Sequence, residues 1–127
     1  MIYTSYFGSR LYDKKDAVSI SRSNPLHDIP KYYNLAPTFQ ILNWWQSLTE
    51  EQRKSQKYQN IYIRLFARDV LDKISPQTVL EDLDGKVLLC FEKYPEFCHR
   101  HIVRVWLNKN GIECKELMPD DARTSTG

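Results

Sequence analysis

No stretch of this chain approaches the roughly eighteen consecutive apolar residues that a membrane-spanning helix needs, which excludes that class. Runs of like charge are also missing. Eighteen Lys and Arg stand against 16 Asp and Glu, and a net charge of +2 demands neither a nucleic-acid partner nor an acidic membrane. The first residues carry no apolar signal segment, so a cytoplasmic chain is expected. Cysteine is sparse. Cys90, Cys98 and Cys114 are odd in number and lack framework spacing, which argues against a disulfide scaffold. There are no internal repeats and no low-complexity segments.

What remains is ordinary soluble-domain composition, 42% apolar and 27% charged over 127 residues. That length suits one domain with one core. We expect a single α/β domain over 1–117 and a frayed tail over 118–127. Residues 2–7 are rich in β-formers, and 17–22 alternate apolar and hydroxyl side chains, so both read as strands. Pro25, Pro30 and Pro37 rule out a regular helix over 23–37, while Leu26, Ile29, Leu35 and two tyrosines favour an ordered cover.

Helical spacing then marks 38–48, and a charged connector follows over 49–57. In the next helix Ile63, Phe66, Ala67, Val70, Leu71 and Ile74 form the apolar stripe. Ser75-Pro76 starts another helix, ending near Leu83. Residues 86–92 form a strand with Val87–Phe91 apolar on both faces, as in a central parallel strand. A helix opening at Cys98 buries Ile102, Val103, Trp106 and Leu107 and stops at Asn110-Gly111. Residues 112–117 form the last strand. The fold class predicted is a small three-layer α/β sandwich around a mostly parallel sheet of about four strands, its last three elements a right-handed βαβ unit.

The chemistry concentrates where strand 86–92 meets the Cys98 helix. Ligands of open α/β sheets bind at the carboxyl ends of strands, and a helix start favours an anion. Arg100 and Arg22 are the candidate ligands of a phosphate, because a guanidinium fork matches its oxygens. Ser5 completes the ligand-binding set. Cys98, beside His99 and Arg100, is a candidate nucleophile, with Glu92 as orienter or base and His99 as a further catalytic group.

Each has a plainer alternative: Arg100 solvated, Cys98 half-buried above Ile102, His99 a hydrogen-bonded core residue, and Glu92 clamping Arg100 or His99. The Cys-x-Arg spacing does not fit a phosphatase loop, no C-x-x-C is present, and no serine sits in a nucleophile elbow. Cys90, Cys98, His99 and His101 match no zinc spacing, so neither a metal nor another cofactor is expected. Trp44 and Trp45 are adjacent and cannot share one helix face, which leaves one indole for a ring-bearing ligand.

Val87-Leu-Leu-Cys-Phe-Glu92-Lys93, followed by Cys98-His99-Arg100, a helix, Gly111 and a strand ending Glu116-Leu117, resembles the domain of unknown function 488 family. Ile2-Tyr-Thr4, Arg22-Ser-Asn-Pro25 and Leu35-Ala-Pro37 add weaker support over about residues 1–117. The resemblance implies an α/β sandwich whose family-typical residues meet at one sheet edge. It names no activity. The chain departs from the family pattern at Ser5-Tyr-Phe7, where many members carry Gly-His, and at Ile20, where many carry aspartate.

The function expected is binding of a phosphate-bearing ligand, a nucleotide or a nucleic-acid end, with residues 23–37 as a lid. One rival is a nucleic-acid accessory or repair module, which requires a basic stripe joining Lys14, Lys15, Arg22 and Arg100. The other is a protein-interaction module with no cavity and an apolar patch at Trp44 or Trp45.

Overall fold

A computed structural model describes residues 1–23, 26, 28–92 and 96–119. Pro25, His27, Lys93 and most of the expected tail, 120–127, lie outside them. Four strands, β1 (Ile2–Tyr6), β2 (Ala17–Ser19), β3 (Val87–Cys90) and β4 (Cys114–Glu116), form one sheet in the order β2-β3-β1-β4. Every neighbouring pair is parallel. The expected α/β sandwich is therefore present, with β3 and β1 at its centre. β3 and β4 are not neighbours, because β1 lies between them.

Helices α1 (Phe39–Ser47), α2 (Glu50–Lys54), α3 (Gln56–Asp69), α4 (Pro76–Leu83) and α5 (His99–Lys109) supply the cover. Alternation along the strands divides the apolar side chains into two sets. Ile2, Val18, Leu88 and Cys114 pack with Ile41, Tyr62, Phe66, Val79, Val103 and Leu107 from the helices. Tyr3, Ala17, Val87 and Leu89 face a smaller cluster completed by Phe7, Tyr12, Leu26 and Ile29. One layer of the sandwich is thus helical, and the opposite layer is thin and built from loops.

Several boundaries shift from the sequence reading. Residues 50–54 are helical, not a connector. Thr49 Oγ1 accepts from the Gln52 amide while the Gln52 side chain accepts from the Thr49 amide, a complete capping box. In α3 Ile63 is outside the core, and Tyr62 takes its place one turn before Phe66. The expected edges of α1 and α4 hold, with Thr38 and Ser75 as N-caps. Gly111 ends α5 at φ +78°, a left-handed conformation that favours glycine.

Pro30 and Tyr32 of the proline-rich segment pair with β2. The Ser19 amide donates to the Pro30 carbonyl at 2.8 Å, and the Tyr32 amide donates to the Ser19 carbonyl at 2.8 Å. Among the described residues, no helix is long and apolar enough to cross a membrane.

Candidate functional site

Because β2 and β3 are parallel, their carboxyl ends open on the same side, where the chain enters α5. A cavity of about 390 Å³ lies there. Ser21 and Arg22 line it from just beyond β2, Trp45 from α1, Arg53 from α2 and Tyr62 from α3. Cys90, Phe91 and Glu92 approach from the end of β3, and Phe97, Cys98 and His99 from the start of α5. Four of the six residues proposed from sequence, Arg22, Glu92, Cys98 and His99, therefore share one cavity.

The other two do not. Ser5 lies in β1 opposite Leu89, and strand alternation turns its side chain to the loop-covered face. Arg100 is 0% exposed. Its Nε and Nη2 donate to the two carboxylate oxygens of Glu116 at 3.0 and 2.9 Å, and its Nη1 reaches Cys90 Sγ at 3.2 Å and the Glu92 carbonyl. Thr4 Oγ1 completes the cluster by donating to Glu116 at 2.6 Å. Arg100 is thus a structural fork closed by β4, and its expected role as a phosphate ligand is corrected. The physical reason is register: parallel pairing sets Glu116 beside Thr4, directly under the first turn of α5. The partner is Glu116, not the Glu92 side chain.

His99 is buried and held by one strong contact, Nε2 to the Ile20 carbonyl at 2.6 Å. A carbonyl only accepts, so Nε2 carries the proton and Nδ1 keeps a lone pair. That lone pair faces Cys98 Sγ at 4.0 Å. Burial lowers the His99 pKa to about 4, so the ring is neutral near pH 7. The Cys90 and Cys98 sulfurs are joined, a pairing that the odd cysteine count did not suggest, so the expectation of Cys98 as a free nucleophilic thiol is corrected: β3 ends where α5 begins, which brings the Cys90 sulfur to it. The third thiol, Cys114, is buried and free, and burial pushes its pKa up to about 12.

Glu92 is exposed at the rim. Loss of part of its water and a hydrogen bond with Glu96 raise its carboxyl pKa. Arg22 Nε donates to the Pro37 carbonyl at 2.8 Å, and its guanidinium lies about 5 Å from the Tyr33 and Phe39 rings. Arg53 Nη1 reaches the Leu48 carbonyl at 3.0 Å, tying α2 to the end of α1. Trp45 packs against Tyr62 and Phe97 with ring centroids 5.0 and 5.2 Å apart. The buried Ser21 Oγ has no hydrogen-bond partner among the described residues.

Arg53 and Ser21 were not legible as site residues. The capping box at Thr49 was the available signal for Arg53, since a helix there swings it back over α1. Ser21 had no signal beyond its place one residue before Arg22. The lid expected over 23–37 contributes Ser23 and Pro37 to the cavity wall.

A family model, DUF488-N3a, described as the active DUF488-N3 subclade, matches residues 9–111. No curated protein and no solved structure matches the chain.

Proposed function

The chain belongs to the DUF488-N3a family, and from that premise we propose that it is an intracellular protein binding a phosphate-bearing, ring-containing ligand, a nucleotide or a nucleic-acid end, in the cavity beside α5. The observation that carries this reading is the pairing of two guanidinium groups, Arg22 and Arg53, with an aromatic wall of Trp45, Phe91 and Phe97 around one cavity. Guanidinium forks suit phosphate oxygens, and an aromatic wall suits a base. Ser21 Oγ supplies a buried hydroxyl for a ligand atom, and the α5 start adds free backbone N–H groups.

In the reduced protein, with the Cys90–Cys98 bridge open, the reacting centre would lie at the Cys98–His99 end, with Glu92 at the rim carrying protons to or from solvent. The description of the family branch as active supports turnover over binding alone.

Both rivals lose support. The basic stripe is broken, because Arg100 is buried and Lys14 and Lys15 pair with Asp28 and Asp13. The interaction module called for no cavity at the sheet edge, where one of about 390 Å³ is found.

Calorimetric titration with a panel of nucleoside mono-, di- and triphosphates and inorganic phosphate tests the proposal. At least one nucleotide should bind, and Arg22→Ala should weaken it by about 1.5–3 kcal/mol, the worth of a charged hydrogen bond. If no member of the panel binds, or if Arg22→Ala and Arg53→Ala both leave affinity unchanged, the proposal is wrong.

A further inference from the structure

We infer that the reduced protein holds a zinc ion between Cys90 Sγ, Cys98 Sγ and His99 Nδ1, with the fourth coordination position facing the cavity. These three donor atoms lie within 4.8 Å of one another, and all three residues are buried. All three also line the cavity. Two thiolates and an imidazole are a soft donor set that selects zinc over magnesium or calcium. Three protein ligands with one open position are the arrangement of zinc sites that do chemistry, whereas structural sites are closed by a fourth protein ligand.

The groups behind the ligands fit the same reading. His99 donates its Nε2 proton to the Ile20 carbonyl at 2.6 Å, which leaves Nδ1 as the ligating nitrogen. Metal-bound histidines are habitually oriented by such a bond. Arg100 Nη1 donates to Cys90 Sγ at 3.2 Å, an outer hydrogen bond that orients this ligand sulfur. Two thiolates neutralise a zinc dication, and Arg100 is already balanced by Glu116.

The cysteine Cα atoms stand 7.1 Å apart, beyond the roughly 4.4–6.8 Å usual for a disulfide. That spacing suits two sulfurs converging on a third atom. The sequence hid this site because its ligands fall at 90, 98 and 99, a spacing shared with no zinc motif; they converge only through the meeting of β3 and α5. Forming the Cys90–Cys98 disulfide consumes both sulfur ligands, so bridge and metal are alternatives and the site requires reduced thiols. What fills the fourth position, a water or a phosphate oxygen, rests on the proposed function; the metal itself does not.

The test uses the metal alone, in phosphate-free buffer, on the 127-residue chain with three titratable thiols. Cobalt(II) should bind one per chain, giving a thiolate charge-transfer band and the intense visible bands of tetrahedral cobalt, and zinc should bleach both. Cys90→Ser, Cys98→Ser and His99→Gln should each weaken binding by more than the roughly 10–100-fold that loss of an outer partner costs. Cys114→Ser should leave it unchanged. If a ligand variant fails to fold, alkylation of the wild type replaces it: zinc should protect Cys90 and Cys98 together. Absence of both the bands and the protection in folded, reduced wild type overturns the site. Because no nucleotide is present, that failure says nothing against phosphate binding, and nucleotide binding seen in a separate titration would not rescue the metal site.

Discussion

Cys98, His99 and Arg100 follow one another in the chain, yet they serve two regions of opposite character. Arg100 turns under α5 into a closed polar cluster with Glu116 and Thr4, buried and hydrogen-bonded. Cys98 and His99 turn toward a cavity whose wall includes two guanidinium groups and a buried hydroxyl without a partner among the described residues. Successive helical residues point about 100° apart, so a dense polar run at a helix start divides between faces. The contrast separates a cluster whose groups satisfy one another from one that leaves capacity for a ligand.

The comparison breaks most sharply at Arg100. Arg100→Ala strands the Glu116 carboxylate in the core and should cost about 3–5 kcal/mol of stability. Glu116→Ala should cost a similar amount, and the double variant less than the sum of the two, because both remove one interaction. Urea unfolding of the three proteins gives these values. Additive losses would show that Arg100 and Glu116 are not coupled.

On the cavity side, Arg22→Ala should cost less stability than Arg100→Ala. It gives up one hydrogen bond to the Pro37 carbonyl, worth about 0.5–1.5 kcal/mol of stability, and ring contacts worth about 0.5–1 kcal/mol. Its larger effect should be on nucleotide affinity. An unfolding loss as large as that of Arg100→Ala would place Arg22 in the frame instead of the site.

The thiols divide in the same way. Cys114 is buried among core side chains with its pKa raised to about 12, whereas Cys90 and Cys98 line the cavity. Native alkylation of reduced, metal-free protein followed by peptide mapping should label Cys98, the most exposed of the three, well before Cys114. Early labelling of Cys114 would contradict the burial assigned to it.

Much of this frame was legible in the sequence and some of the site was not. Strand composition, the Ser75-Pro76 and Asn110-Gly111 punctuation and the apolar run at Val87 are local signals, and local signals fix elements. The direction of Arg100 is not local. It depends on Glu116 arriving beside Thr4 through parallel pairing, an arrangement that joins residues 112 positions apart. Cys90 was correctly read as buried, but buried at a strand's carboxyl end is a different place from buried in its middle. Ile63 and Tyr62 changed places because both fit a helical stripe, and only packing against Trp45 and Phe66 chooses the tyrosine.

The smallest expected effect belongs to Ser21→Ala. With no partner among the described residues, Ser21 Oγ contributes little to the fold, so stability should change by less than about 0.5 kcal/mol. Nucleotide affinity should fall by roughly 0.5–1.5 kcal/mol, the worth of one neutral hydrogen bond. A clear loss of stability would reveal a structural role for this hydroxyl.

One measurement tests the division most directly. Replacing the buried pair together, Arg100→Met with Glu116→Leu, exchanges a closed ion pair for apolar side chains, a change that is often tolerated. Nucleotide affinity of this double variant, measured by calorimetry beside the wild type, should stay within about twofold, some 0.4 kcal/mol. A folded double variant that has lost tenfold or more in affinity would put Arg100 in the binding site and contradict the account.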